Sequence, residues 1–259
     1  MRLVDSHCHL DPRAFGDDAG VDAAIARAHE AGVETMVTIG SGYGFESAVR
    51  ALAVVARHPQ LRCSAGLHPH DAKEATDLRL AELYDLARRP EVVALGEMGL
   101  DYHYDFSPRA EQRAVFNAQI EAARQIGKPI IIHDRESDGE TLRLLDEARA
   151  WDVGVLYHCY TGDVAYMDAI VTRGGHISIP GIVTFKNADV TRAVAAAVPM
   201  DRLHLETDSP FLTPVPHRGK KNEPAYVGLV AAKVAELRGT AVEALADACA
   251  TNTLRFFRF

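Results

Sequence analysis

Histidines and carboxylates in this 259-residue chain recur at the ends of short apolar runs. The first run is "LVDSHCHLD", in which His7 and His9 flank Cys8. Later runs end in five further metal-capable residues, His68, Glu97, His133, His158 and Asp208. Neutral imidazoles with carboxylates suit Zn²⁺, Mn²⁺ or Fe, and a wetter, oxygen-rich site can take Mg²⁺. The pattern therefore predicts a metal centre built from several strand ends.

Strand geometry indicates which residues of the first run can share an ion. Residues two apart on a β-strand point to the same face, so His7 and His9 can converge while Cys8 points away. A zinc–thiolate site and a Cys–His nucleophile remain alternatives for Cys8 and for Cys159, which follows His158. The alternation favours packing for both thiols.

Two ions use this set of residues better than one. A catalytic zinc normally has three protein ligands and an open position, whereas two ions about 3.5–4 Å apart share a bridging carboxylate. Glu97 is the natural bridge because it follows a middle strand. On the last strand Glu206 shares a face with Asp208 but lies one layer deeper. We expect Glu206 to support a ligand rather than bind the metal itself.

The elements that must position these residues alternate regularly. Eight short β-rich runs are each followed by a helical pattern, which predicts an α/β fold, a (β/α)8 TIM barrel with one domain over residues 1–259. Active sites of such barrels lie at the carboxyl ends of the strands. A doubly wound open sheet shares the alternation, but no G-x-G-x-x-G follows the first strand. The helix after "EVVALGE" has Ser107 as its expected N-cap, Pro108 at its first position and Gly127 past its end.

The amino-acid composition limits the class of protein to which the chain can belong. Apolar residues make up 47% of the chain and charged residues 25%, as in globular domains. The formal net charge of −8 excludes a general nucleic-acid coat but not a polyanionic substrate. The four cysteines form no C-x-x-C pair, and neither a signal peptide nor a membrane span is recognisable. We expect a soluble cytoplasmic protein with reduced thiols, no membrane contact and no obligate protein partner.

Three basic residues are candidates for contacts with substrate phosphate. Arg135 follows His133, Lys186 follows the seventh strand, and Arg218 lies in the loop "PHRGKKNEP". Because this is the only basic loop, we expect contact with a few terminal nucleotides rather than long duplex DNA, and a weak dependence on salt.

As a set, eight stretches of the chain resemble the TatD family of metal-dependent hydrolases, a group of amidohydrolase-like metallo-barrels. They run in order from residue 5 to residue 224: "DSHCHLD", "GLHPH", "GEMGLDYHY", "PIIIHDRES", "YHCYTG", "GIVTFKNA", "LETDSPFL" and "HRGKKNEP". The resemblance implies six metal ligands, His7, His9, Glu97, His133, His158 and Asp208. It also implies that His68 and Arg135 lie on the substrate side.

The activity implied by the resemblance is metal-dependent phosphodiester hydrolysis, as a deoxyribonuclease or 3′→5′ exonuclease acting on DNA ends or single strands. Some relatives are credited with deacylation of D-aminoacyl-tRNA, so an ester or amide hydrolase is the alternative, and a non-catalytic metal-binding barrel is a third.

Our mechanistic hypothesis uses two divalent ions, Zn²⁺, Mg²⁺ or Mn²⁺. His7, His9 and Asp208 hold one ion, His133 and His158 hold the other, and Glu97 bridges them. Asp208 acts as the general base, so Asp208 and Glu97 are the expected catalytic residues. Arg135 and His68 then stabilise the charge that develops on the phosphate oxygens.

Overall fold

The computed structural model describes residues 1–259, and it contains eight β-strands, ten α-helices and five short 3₁₀ turns. The strands are β1 (Leu3–Cys8), β2 (Val33–Thr38), β3 (Arg62–Ala65), β4 (Val92–Asp101), β5 (Ile130–Arg135), β6 (Val155–Tyr157), β7 (His176–Ile179) and β8 (Leu203–Leu205). The helices are α1 (Pro12–Phe15), α2 (Asp18–Glu30), α3 (Ser47–Arg57), α4 (Asp77–Ala87), α5 (Arg109–Ile126), α6 (Glu140–Glu147), α7 (Val164–Thr172), α8 (Asp189–Ala197), α9 (Val227–Arg238) and α10 (Val242–Phe256).

The strands follow one another in the sheet in the same order as in the chain, from β1 to β8. Eight parallel strands alternate with helices, so the predicted (β/α)8 barrel is confirmed. Strand β4 is longer than expected: it continues to Asp101, four residues beyond the predicted strand end at Glu97. No helix has both the length and the apolar character needed to cross a membrane.

The chain packs as two compact units. That residues 1–259 form a single domain therefore stays a prediction. We call residues 1–38 with 158–259 the terminal unit, and residues 39–157 the central unit.

In the terminal unit, helices α9 and α10 pack against β1, and α10 also packs against β8. Their inward faces are apolar, with Val230, Val234 and Leu245 fully or almost fully buried. Helix α2 begins where the side chain of Asp17 accepts a hydrogen bond from the Gly20 amide, as an N-cap should. These contacts hold β1 and the chain that follows β8 in place, and both carry residues of the candidate site.

In the central unit, α5 packs against β4 and α3 against β3. Helix α5 ends at Gly127, which has the left-handed conformation (φ 77°) of a C-cap glycine, as predicted. The expected N-cap was wrong, because the helix begins one residue later and Pro108 occupies the cap. The Ser107 hydroxyl is engaged elsewhere: it donates to the His70 carbonyl and accepts from the Lys73 amide.

Candidate metal centre

Three predicted ligands meet in the terminal unit, and we call them the terminal cluster: His7, His9 and Asp208. The Nε2 atoms of His7 and His9 are 3.4 Å apart. Oδ1 of Asp208 lies 3.4 Å from His9 Nε2 and 3.7 Å from His7 Nε2. All three residues are buried. The atoms are too far apart for strong hydrogen bonds, but they are close enough to surround one cation.

The main chain fixes the terminal cluster. The His9 amide donates to the Ser209 carbonyl, and the Asp208 amide donates to the His7 carbonyl, so the end of β1 is tied to the chain after β8. Asp208 itself has a left-handed backbone (φ 54°), which is uncommon for a residue other than glycine and is typical of functional sites.

Asp5 lies two residues before His7 and supports the same arrangement. Its carboxylate accepts hydrogen bonds from the Thr207 amide and hydroxyl and from the His7 amide. Burial raises the pKa of Asp5 to about 8, although the hydrogen bonds from Thr207 and His7 oppose the rise. Asp5 therefore joins β1 to the segment that carries Asp208.

His158 also lies in the terminal unit, stacked on His7 with the ring centroids 3.9 Å apart and the planes within 10°. Its Nδ1 is 3.6 Å from Oε1 of Glu206, which accepts a hydrogen bond from the Cys159 amide. Glu206 is fully buried, and burial raises its pKa. The carboxylate thus faces an imidazole and a backbone amide in the interior.

The central unit brings together a second group, the central cluster: His68, Glu97 and His133. Oε1 of Glu97 is 2.9 Å from His133 Nδ1 and 3.4 Å from His68 Nε2. The Nδ1 atom of His68 accepts a hydrogen bond from the His70 amide. Burial lowers the pKa of His68 to about 4, so its imidazole is neutral at pH 7, as a metal ligand must be.

Two glycines let β4 approach β5 closely enough to form the central cluster. A Cβ at Gly99 would overlap the His133 carbonyl oxygen, and a Cβ at Gly96 would lie 2.5 Å from the Ile131 carbonyl oxygen. Both glycines have positive φ, 126° at Gly96 and 147° at Gly99, and the register with β5 shifts between Leu95 and Met98. The sequence "GEMG" thus permits a bulge that carries Glu97 at the close approach of the strands.

The comparisons with known proteins agree with this chemistry. A family model described as "TatD related DNase" matches residues 4–258. The chain belongs to this family. It is a metal-dependent hydrolase of the TatD family.

Relatives of this TatD-family chain are similar over nearly their whole length. It is 39% identical over 256 residues to YabD of Bacillus subtilis, which is named a metal-dependent hydrolase, with 99% of each chain covered. It is 33% identical to the "3'-5' ssDNA/RNA exonuclease TatD" of Edwardsiella piscicida, again with 99% of each covered. The crystal structure of YJJV, a TatD homologue from Escherichia coli, has a TM-score of 0.91 at 29% identity, covering 99% of this chain and 98% of that one.

The structure of this TatD-family protein also locates the residues predicted to bind substrate. His68 lies within the central cluster, rather than apart from the ligand-type residues. The Arg135 guanidinium lies over the Tyr104 ring, 4.7 Å from its centroid. Lys186 and Arg218 line one cavity of about 410 Å³, where the Arg218 guanidinium lies 3.8 Å from the centroid of the Phe185 ring. His68 and Arg135 thus lie in the central unit, and Lys186 and Arg218 share a cavity in the terminal unit.

The predicted site residues did not include Asp101 and His70. Oδ2 of Asp101 is 3.0 Å from His133 Nε2 and 2.8 Å from His70 Nε2. Burial alone would raise the pKa of Asp101, but hydrogen bonds from His133, His70 and the Tyr104 amide hold it well below its usual range. The signal for Asp101 was its spacing: it lies four residues after Glu97, and therefore on the same face of a strand that continues.

Proposed function

We propose that this protein hydrolyses phosphodiester bonds in single-stranded nucleic acid, removing nucleotides from the 3′ end with the help of two divalent cations. The observation that carries the proposal is the terminal cluster. Its two imidazoles and one carboxylate converge in the interior at separations of 3.4–3.7 Å. Three such ligands with an open position are typical of catalytic metal sites.

Both clusters have the donors that a divalent cation needs. His7, His9 and Asp208 would hold one ion, and Glu97 with His133 would hold the other, His68 being within reach. Nitrogen and oxygen sets of this kind suit Zn²⁺ or Mn²⁺, and Mg²⁺ where water completes the shell. That Glu97 bridges the two ions and that His158 is a ligand stay predictions from the family pattern.

When bound, divalent cations lower the pKa of water and neutralise charge on a phosphodiester. The chain's own residues do the remaining work. Asp208, whose Oδ1 lies 3.4 Å from His9 Nε2, would accept the proton of the attacking water. Arg135, Lys186 and Arg218 bind phosphate oxygens of the substrate strand. Glu206, whose Oε1 lies 3.6 Å from His158 Nδ1, would help to orient that imidazole.

The choice of nucleic acid as substrate is supported by the family and by one relative, the Edwardsiella piscicida protein named a 3′–5′ ssDNA/RNA exonuclease. The acidic chain, with a formal net charge of −8, favours contact with a short terminal stretch over contact with long duplex DNA. We propose substrate contacts with only a few terminal nucleotides.

The decisive experiment uses metal-stripped protein reloaded with Mg²⁺, Mn²⁺ or Zn²⁺. It is incubated with single-stranded DNA labelled at its 5′ end and, in parallel, with D-aminoacyl-tRNA. We expect metal-dependent shortening of the DNA from the 3′ end and no shortening by Asp208→Asn. Rapid deacylation of the tRNA with intact DNA would overturn the proposal in favour of an esterase, and metal binding without turnover of either would indicate a binding protein.

A further inference from the structure

Two aromatic side chains of the central unit, Tyr104 and Phe106, are exposed side by side; we call them the aromatic pair. Their rings stack with centroids 5.1 Å apart and planes 17° apart. Tyr104 is 47% exposed and Phe106 is 55% exposed. Single exposed aromatic residues are ordinary on protein surfaces, but a stacked and half-exposed pair offers a continuous flat apolar surface.

The aromatic pair adjoins the central cluster through one residue. The His70 ring meets Phe106 at 4.8 Å and Tyr104 at 5.5 Å between centroids. His70 Nε2 is in turn 2.8 Å from Asp101 Oδ2, which also binds His133. A group lying on the aromatic pair is thus adjacent to the central cluster.

The loop that carries the aromatic pair is held by hydrogen bonds at both ends. Oδ1 of Asp101 accepts from the amides of His103 and Tyr104, which forms a tight turn. The side-chain amide of Gln112 donates to the carbonyls of Asp101 and Ser107. Because the loop is already ordered, a ligand stacking on it would pay little conformational entropy.

Three basic groups lie around the aromatic pair. Asp105, between the two aromatic residues, is engaged by the Arg109 guanidinium at 2.8–3.2 Å. The Lys73 ammonium donates to the Phe106 carbonyl. The Arg135 guanidinium lies over the Tyr104 ring, and no carboxylate forms an ion pair with it, so it can still bind a phosphate.

We propose that the aromatic pair is a stacking platform for a nucleobase of the single-stranded substrate, close to the bond that is cut, with Arg135 binding an adjacent phosphate. The inference rests on the proposed function and adds the source of substrate affinity. Every base has an aromatic face, so stacking is independent of sequence and needs no basic track. It accounts for how an acidic chain binds a polyanion.

The test compares wild-type protein with the double variant Tyr104→Ala/Phe106→Ala on two oligonucleotides. One has normal bases at its three 3′-terminal positions, and the other has abasic residues there. The conservative variant Tyr104→Phe keeps the ring, and Phe259→Ala removes an exposed aromatic residue of the terminal unit, 38% exposed, as a matched control. Binding is followed separately with a terminal 2-aminopurine, whose fluorescence falls on stacking, in the Asp208→Asn background.

We expect the double variant to raise KM for the normal oligonucleotide by about 5- to 150-fold, the range for loss of one stacked base, with kcat changed much less. Wild-type protein should lose a similar factor on the abasic oligonucleotide, whereas the double variant should no longer distinguish the two. Tyr104→Phe and Phe259→Ala should behave as wild type. Circular dichroism and thermal melting establish that the double variant is folded.

Two results separate the inference from the proposed function. If the double variant cleaves both oligonucleotides with wild-type KM and keeps the wild-type preference for bases, the platform is wrong and the nuclease activity stands. Suppose that no oligonucleotide is cleaved, but that 2-aminopurine fluorescence falls when the aromatic pair is present and not in the double variant. The platform then stands and the proposed function is wrong.

Discussion

The terminal and central clusters contain the same donor types but hold them differently. In the terminal cluster the imidazoles and the carboxylate of Asp208 face one another at 3.4–3.7 Å, beyond the range of strong hydrogen bonds. In the central cluster, His133 has a carboxylate at each ring nitrogen, Glu97 at 2.9 Å and Asp101 at 3.0 Å. The first arrangement could hold a cation between its three atoms, and the second is a hydrogen-bonded network.

This difference predicts an order of metal binding. A ligand must lose its proton before it binds a cation, and both ring nitrogens of His133 already face carboxylates, Glu97 at 2.9 Å and Asp101 at 3.0 Å. We therefore expect the terminal cluster to bind its cation more tightly and over a wider range of pH. In the central cluster, His133 faces a carboxylate through a ring nitrogen, as the histidine does in a carboxylate–histidine–metal arrangement.

The largest effect is expected for Asp208→Asn. The amide keeps the shape of the side chain but cannot accept the proton of the attacking water, so turnover should fall roughly 10²–10⁴-fold. The assay is single-turnover cleavage of labelled DNA, with bound metal measured on the same sample. An Asp208→Asn protein that has full metal content and wild-type turnover would remove the proposed role of Asp208.

Gly99→Ala should damage the central cluster alone. A methyl group there overlaps the His133 carbonyl, and φ is 147°, so we expect the free energy of unfolding to fall by about 2–4 kcal/mol. Gly127→Ala is the control: its φ is also positive, but nothing lies within 4 Å, and we expect a loss of about 1–2 kcal/mol. Equal losses in chemical denaturation would contradict the close approach of β4 and β5.

Asp101→Asn tests the network directly. Its Oδ1 position can still accept from the loop amides, but the negative charge facing His133 and His70 is lost. We expect the metal affinity of the central cluster, or the activity that depends on it, to fall about 10- to 100-fold. The metal affinity of the terminal cluster should change little. Metal titration by calorimetry checks this, and a change confined to the terminal cluster would reverse our assignment.

A third group of histidines provides the baseline for pH effects, because it lies outside both clusters. Nη1 of Arg202 donates to His176, whose Nδ1 is 2.8 Å from His204 Nε2, and His204 Nδ1 is 2.9 Å from the Thr253 hydroxyl. Burial, with the nearby Arg202 charge, lowers the pKa of His176 to about 4, and Asp201 partly opposes this shift. Burial and His176 lower the pKa of His204 well below 6.5.

Since the folded pKa values lie below the unfolded value of about 6.5, the unfolded chain binds more protons in acid. Stability from this pair should be complete above pH 6.5 and should decline as the pH falls toward 4, with or without metal. In His176→Gln, denaturation across this range should show uptake of about one proton fewer on unfolding. An unchanged slope in His176→Gln would contradict the assignment.

The smallest effect is expected for Cys8→Ala. The Cys8 thiol is fully buried and 3.5 Å from the Val37 carbonyl, on the packing side of β1. Alanine should cost about 1 kcal/mol of stability and leave metal content and turnover unchanged. Loss of a bound ion in this variant would indicate that the Cys8 thiolate is a metal ligand.

The strand-end interpretation predicted the barrel and the residues that form the two clusters, because hydrophobic alternation and strand parity are local properties of the chain. It ended β4 at Glu97, since the glycines of "GEMG" suggest a strand end, although their positive φ values let the strand continue to Asp101. Parity also assumes an extended chain, whereas β8 ends at Leu205 and Asp208 has a left-handed backbone. Its contact with the histidines comes from a turn that no alternation describes.

The placement of Arg135 shows a second limit. A cation two residues beyond a candidate ligand suggests a phosphate contact, but the position of Arg135 over Tyr104 depends on a loop 31 residues earlier in the chain. Such a contact depends on which strands are neighbours in the folded sheet. The same holds for His70, which reaches Asp101 from the turn after β3.

The most direct test of the account is the number of ions bound per chain, measured by mass spectrometry of the metal after dialysis against Zn²⁺ or Mn²⁺ and removal of free ions. We predict two ions for wild-type protein and one each for the folded variants His9→Ala and His133→Ala, with the ion kept by His133→Ala being the tighter. One ion in wild type, or two ions in both variants, would contradict the assignment of separate cation sites to the terminal and central clusters.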